Sequence, residues 1–150
     1  MSLLCMGNNN LYLTQTDTTI GFVSQDTSKI DAAKQRLPEK HYIRVLDSLE
    51  TLKTFTRVPQ KHKNQVRRAK RTTFIMPQGE SFRVVKGTKH NLLLHRVKWL
   101  YSSSANLSGA VYDASYAKKM TEVMVSFPYG NSGEASKIYR LGHGVIKSVR

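Results

Sequence analysis

Apolar residues in this chain come in short runs. No unbroken aliphatic run exceeds Leu92–Leu94, and that brevity constrains the fold more than any other feature. A membrane-spanning helix needs about 20 consecutive apolar residues, so the sequence predicts no such span. There is no heptad pattern, internal repeat or low-complexity linker. Instead, short β-prone runs alternate with segments of helical spacing. Strands are expected at Leu11–Leu13, Thr19–Val23, Tyr42–Leu46, Thr72–Met76, Phe82–Val85, Val97–Tyr101, 122–127, Ile138–Leu141 and Val145–Val149. Helices are expected at 29–36, with Ser28 as the candidate N-cap and Pro38 ending it, and from Asp47 or Ser48 through Phe55, where Leu49, Leu52 and Phe55 fall on one face. Three more are expected, at 61–70, 91–96 and 114–120. Pro77, Gln78 and Gly79 read as a turn and 129–134 as a loop. This alternation implies an α/β fold, a twisted sheet of mixed strand direction with flanking helices.

With 150 residues, 39% hydrophobic and 23% charged, the composition fits one globular domain over 1–150. Cys5 is the sole cysteine, which rules out an intramolecular disulfide or a cysteine-only zinc site and suits a reducing cytoplasm. The opening M-S-L-L-C-M-G-N-N-N has no charged leader before an apolar core, so no secretory signal is expected there and a cytoplasmic location is. The formal net charge is +14, and it is uneven. Between Arg57 and Lys98 twelve Lys/Arg stand against one acid, Glu80, a net of +11. Such a field favours anionic partners, nucleotides or RNA, without identifying one.

Three polar segments carry the functional signal. The apolar stretch Val97–Tyr101 runs into Ser102-Ser103-Ser104-Ala105-Asn106-Leu107-Ser108-Gly109, too small and polar to build core. Residues of this kind after a strand deliver hydrogen-bonding groups to the sheet edge where ligands of α/β folds bind, although an ordinary Ser/Asn turn reads the same way. A second hydroxyl cluster, Gln15-Thr16-Asp17-Thr18-Thr19-Ile20-Gly21, follows Leu11–Leu13, and Lys34-Gln35-Arg36 comes after it. In this order the segments resemble the threonylcarbamoyl-adenylate synthase family (YrdC-like proteins), whose motifs are of the P-T-D-T-x-Y-G, K-x-R and S-A-N-x-S-G types. Residues 67–77 are similar to that family's P-G-P-x-T segment and strand, and Ala135-Ser136-Lys137-Ile138 with Arg150 to its P-S-T-I and final arginine. The chain departs from the pattern at Gln15, Ile20, Ala69-Lys70-Arg71 and Val85. Val45 stands where members often carry a histidine. The resemblance is thus to a short, divergent member, and it covers about residues 11 to 150.

The resemblance implies a YrdC-like sheet with a basic concave groove and a reaction in which L-threonine, bicarbonate and ATP give threonylcarbamoyl-adenylate and pyrophosphate. The carbamoyl group then passes to a tRNA adenosine through tRNA-modification partner proteins. It assigns Lys34, Arg36, Ser104 and Asn106 to catalysis; the same four with Lys40 and Arg150 to ATP; and Thr16, Thr18, Arg83, Ser102 and Ser136 to threonine. Lys suits a triphosphate as a mobile point charge and Arg as a bidentate fork, while neutral hydroxyls and amides donate to phosphate or ribose oxygens. Mg²⁺ is expected on the triphosphate rather than on protein ligands. No G-x-x-x-x-G-K-[ST], G-x-G-x-x-G, H-E-x-x-H or G-x-S-x-G occurs, so phosphates would meet Lys, Arg and hydroxyl groups directly. Each of these residues also has a plain structural reading: Lys34 and Arg36 as a basic helix end, Arg83 as a solvent-facing strand position, Asp17 as a turn brace and Arg150 as a chain end. The five histidines show no metal spacing. The basic run Lys61–Arg71 reads as a solvated helix, with tRNA or double-stranded RNA as its possible partner and too few aromatics among its charges to stack bases. The alternative function is a non-catalytic RNA-binding or regulatory relative that uses the basic groove.

Overall fold

In the computed structural model the described residues are 9–16, 18–35, 41–85, 90–106, 109–125, 136–142 and 145–149, with the backbone alone described at 90–92. Nine strands are formed: β1 Tyr12–Gln15, β2 Ile20–Ser24, β3 Ile43–Leu46, β4 Thr72–Ile75, β5 Ser81–Val84, β6 Trp99–Ser104, β7 Val123–Val125, β8 Lys137–Leu141 and β9 Ile146–Ser148. They join into one sheet in the order β7-β1-β2-β6-β3-β5-β4-β8-β9. Pairing is parallel at β1–β7, β3–β5 and β4–β8 and antiparallel at the other five joints, a mixed sheet as expected. The helices are α1 Thr27–Lys34, α2 Leu49–Leu52, α3 Lys63–Arg68 (entered from a 3₁₀ turn, Gln60–His62), α4 His90–Val97 and α5 Ala114–Met120. Among the described residues no helix is long and apolar enough to cross a membrane.

Alternation along each strand sends successive side chains to opposite faces, and the registers carry that assignment across the sheet. Tyr12, Val23, Val45 and Leu100 fall on one face, where they pack with Val85, Leu94 and Val97. On the other face Leu13 and Phe22 pack with Ile30 and Ala33 of α1, while Leu46, Phe74 and Phe82 pack with Leu49, Leu52, Val58 and Val66. The helices are therefore placed by their apolar stripes, each burying one stripe against the sheet.

Local expectations are corrected at α1 and at the sixth strand. The N-cap of α1 is Asp26, which accepts from the Ser28 amide, and not Ser28. Helix α1 stops at Lys34 because Gln35 adopts the left-handed conformation, φ 49°. The sixth strand begins at Trp99, not Val97, because Val97 ends α4 and Lys98 turns the chain at φ 77°. It then continues through Ser102–Ser104, residues that propensity alone assigns to a turn. The ladder explains this. Ser102 is paired with Val23 on one side and Ile43 on the other, so strand hydrogen bonds outcompete local side-chain turns.

Candidate functional site

The β1–β2 turn brings its threonines back onto themselves. Thr16 Oγ1 donates to the Thr19 carbonyl at 2.6 Å, accepts from the Thr18 amide at 3.1 Å and lies 3.2 Å from Thr18 Oγ1. Both threonines are buried. Gly21, at the start of β2, pairs with Thr14 and with Ser104. A Cβ on Gly21 would sit 2.9 Å from the Ser103 carbonyl, 3.2 Å from Thr16 Cγ2 and 3.6 Å from Ser102 Oγ. The glycine thus keeps a gap between Thr16 and Ser102, a close-approach role typical of strand glycines.

Further along the same face lies a buried arginine. Register and alternation place Arg83 with Val45 and Leu100. Arg83 is 4% exposed, which overturns its reading as a solvent-facing strand position. Its Nη1 donates to Thr73 Oγ1 at 3.4 Å, and Thr73 Oγ1 lies 3.0 Å from Ser136 Oγ. Ser102 and Arg83 are two strands apart, about 10 Å across the sheet, with β3 between them. The residues assigned to threonine therefore occupy one sheet face as two groups: Thr16, Thr18 and Ser102, then Arg83 and Ser136. Thr73, which joins the second group, escaped the sequence reading. Its signal was the final Thr of the segment resembling P-G-P-x-T, since Thr73 stands in that place.

The phosphate-binding candidates converge as well. Lys34, at the end of α1, is 1% exposed. Its Nζ donates to the Ser104 and Asn106 carbonyls, both at 2.8 Å, and lies 3.4 Å from Asn106 Oδ1. Asn106 Oδ1 accepts from Ser104 Oγ at 2.5 Å, and its Nδ2 donates to the Ala110 carbonyl at 2.7 Å. The lysine of K-Q-R is thus clasped to the S-A-N turn, 70 residues away in sequence. Arg36, Lys40 and Arg150, with Asp17, lie outside the described residues. Among the described residues no group of three His, Cys, Asp or Glu gathers as a metal site. Two carboxyls are held below the usual carboxylate range, neither of them in this site. One is Asp26, chiefly through the Ser28 hydroxyl; the other is Glu122, chiefly through the Lys29 ammonium.

No protein-family model matches the chain, and no curated protein matches it in sequence. Solved structures do match its fold. Sua5 of P. abyssi, complexed with L-threonine, superposes with a TM-score of 0.78 at 17% identity, covering 94% of this chain and 50% of that one. E. coli YciO gives 0.71 at 15% identity, covering 95% and 82%. Full-length HypF in a phosphate- and nucleotide-bound form gives 0.75 at 14% identity, covering 99% and 27%. The chain has the YrdC/Sua5 fold and spans about half the length of Sua5.

Proposed function

We propose that this chain is an ATP-dependent L-threonylcarbamoyl-adenylate synthase whose product serves tRNA threonylcarbamoyladenosine modification. The observation that carries the reading is the convergence on one sheet face of Thr16, Thr18 and Ser102 with the Arg83–Thr73–Ser136 group, beside the clasp of Lys34 to Asn106. These are the residue types an amino acid bearing a carboxylate and a hydroxyl requires, next to those a nucleotide requires. A Sua5 structure that holds L-threonine shares the fold, which supports the choice of amino acid.

In this reading Arg83 pairs with the threonine carboxylate as a two-pronged donor, and the Thr16/Thr18 hydroxyls read the substrate hydroxyl. A site built to hydrogen-bond such a group rejects analogues that lack it. The threonine amine, converted to a carbamate with bicarbonate, presents an oxygen to the α-phosphorus of ATP. The new P–O bond forms as the bond to pyrophosphate breaks. Displacement of this kind depends on alignment and on neutralising phosphate charge rather than on a nucleophilic side chain. Lys34, Arg36, Ser104 and Asn106 supply the positioning, with Lys40 and Arg150 as further phosphate ligands. Mg²⁺ enters on the triphosphate, held by phosphate oxygens and water, and spreads their charge.

Pyrophosphate release from Mg-ATP and bicarbonate, with and without L-threonine, tests the proposal. Threonine-dependent release that Arg36→Ala abolishes is the expected result. Folded protein that releases none with threonine present overturns it. One observation favours the second reading, a non-catalytic relative: the buried Lys34 ammonium donates to two backbone carbonyls, so it braces the S-A-N turn directly. That reading, an RNA-binding or regulatory relative using the basic groove, predicts tight, salt-sensitive binding to tRNA or double-stranded RNA without pyrophosphate release.

A further inference from the structure

The face of the sheet opposite the candidate site carries a groove. Arg44 and Tyr101 pair across β3–β6. By alternation they point away from Val45 and Ser102, the neighbours that face the threonine cluster. Around them lies a cleft of about 530 Å³ reaching Thr27, His41 and the 78–81 turn. It shares Gln78 with a second cleft of about 680 Å³, and that one shares Thr56 and Arg57 with a third of about 360 Å³, which ends at Lys53 and Lys63. The three clefts thus adjoin one another through common walls.

The chemistry of the clefts is cationic with aromatic faces. Lys53, Arg57 and Lys63 line the third. Arg67, Arg68 and Lys70 stand exposed on α3 and just beyond it, and none of Arg57, Lys63, Arg67, Arg68 or Lys70 forms an ion pair among the described residues. Two acids stand at the clefts: Glu80, bonded to Arg44 at 2.6 Å, and the exposed Glu50, 3.6 Å from Lys53. Half-buried Phe55 and Tyr101 wall two of the clefts and stand close together, because the Arg44 guanidinium packs over both rings, at 4.6 and 4.9 Å. Its Nε is buried without a hydrogen-bond partner.

We infer that this groove binds a single-stranded polynucleotide, with its phosphodiester backbone on Arg57, Lys53 and Lys63 and bases against Phe55 and Tyr101. Backbone-tracking positive grooves with aromatic platforms are how single strands are held without sequence readout. A duplex keeps its base faces inside the stack and has none to offer Phe55 and Tyr101, whereas a single strand does. An anionic membrane is disfavoured because the large exposed apolar side chains, Val111, Tyr112, Met124, Val145 and Val149, lie outside the groove. The inference does not rest on the synthase reading, since the groove lies on the other face.

The test is fluorescence anisotropy of the intact chain with labelled 12-mers, oligo(U) and oligo(dT), and with a 12-base-pair duplex, each across a KCl series. Single strands are expected to bind more tightly than the duplex; the oligo(U) and oligo(dT) arms tell whether the ribose 2′-hydroxyl matters. Arg57→Ala/Lys63→Ala is expected to weaken binding by about 10-fold at 0.1 M salt and to reduce the log–log salt slope by about 1.4, since each phosphate neutralised on a single strand contributes about 0.7. Lys118→Ala/Lys119→Ala removes the same charge from exposed positions on α5 and is expected to change affinity less than about twofold if the groove binds locally. Circular dichroism confirms that both variants are folded. Equal losses in the two variants, tighter duplex binding, or equal displacement of oligo(U) by poly-glutamate at matched charge would each overturn the inference.

Discussion

At the scale of single residues, the site depends on what is missing at Gly21 and what is buried at Lys34. A strand glycine normally costs about 0.5–1 kcal/mol against alanine, so Gly21→Ala would ordinarily stabilise. Here the added Cβ meets the Ser103 carbonyl at 2.9 Å, and backbone cannot move aside as a side-chain tip can. Overpacking of this kind costs about 1–3 kcal/mol and outweighs the propensity gain. The expected result is a lower urea midpoint, with the Thr16–Ser102 gap filled and L-threonine binding lost. A higher midpoint would show that the strands separate freely. Lys34→Met keeps an unbranched apolar stem of similar length up to Cε but removes the ammonium, leaving the Ser104 and Asn106 carbonyls without that donor. Hydrogen bonds from a charged group contribute about 1.5–3 kcal/mol each, partly offset because the variant has no charge to desolvate. A net loss of about 1–3 kcal/mol in chemical denaturation is expected. Wild-type stability in this variant would rule out the clasp as a structural bond.

At the scale of elements, α1 presents the site because both of its ends are fixed. Asp26 accepts from the Ser28 amide at 3.0 Å and the Ser28 hydroxyl at 2.5 Å, and the hydroxyl bond holds its carboxyl below the ordinary range. A depressed folded-state pKa contributes stability at neutral pH that is lost as pH falls through that folded value. Asp26→Ala is therefore expected to cost about 1 kcal/mol at pH 7. The difference from wild type should shrink as pH drops below about 4, read from urea unfolding at each pH. A gap that persists in acid would mean that the carboxylate is not the source of the stability. The same helix shows where sequence pattern stops being informative. The helix was legible to within two residues at each end. Its cap was not, because Asp26 and Ser28 are both good caps and only geometry chooses between them. The continuation of the sixth strand through Ser102–Ser104 was missed for a related reason: partners at Val23 and Ile43 are remote in sequence and leave no local trace. The resemblance named Thr16, Thr18, Ser102, Arg83 and Ser136 as candidates, and the structure gathers them on one sheet face. Thr73 left a trace that the reading passed over, the final Thr of the segment resembling P-G-P-x-T, and the space held by Gly21 left none, because it is an absence.

At the scale of the molecule, one sheet separates two differently built faces, and net charge acts on both. The apolar clusters on its two faces share strands, so neither layer unfolds without disturbing the other. Against that cohesion stands a formal charge of +14. Ion pairs among the described residues do little to offset it. Lys29–Glu122, Arg44–Glu80 and Lys53–Glu50 involve partly or largely exposed side chains, and the buried Asp47 has Lys98 and His95 no closer than 3.7 Å. Surface pairs contribute about 0–1 kcal/mol each, whereas unpaired like charges on a basic chain repel over distances set by screening. Raising ionic strength from 0.01 to 0.1 M shortens that distance from about 30 Å to about 10 Å. Screening therefore removes more repulsion than attraction, and the Tm is expected to rise by several degrees with KCl over that range at fixed pH. KCl is the right salt because phosphate or sulfate would add ligand stabilisation at the cationic sites. A Tm that falls with KCl would mean that the pairs outweigh the repulsion, and that the excess charge is already balanced within the fold rather than held open for an anionic partner.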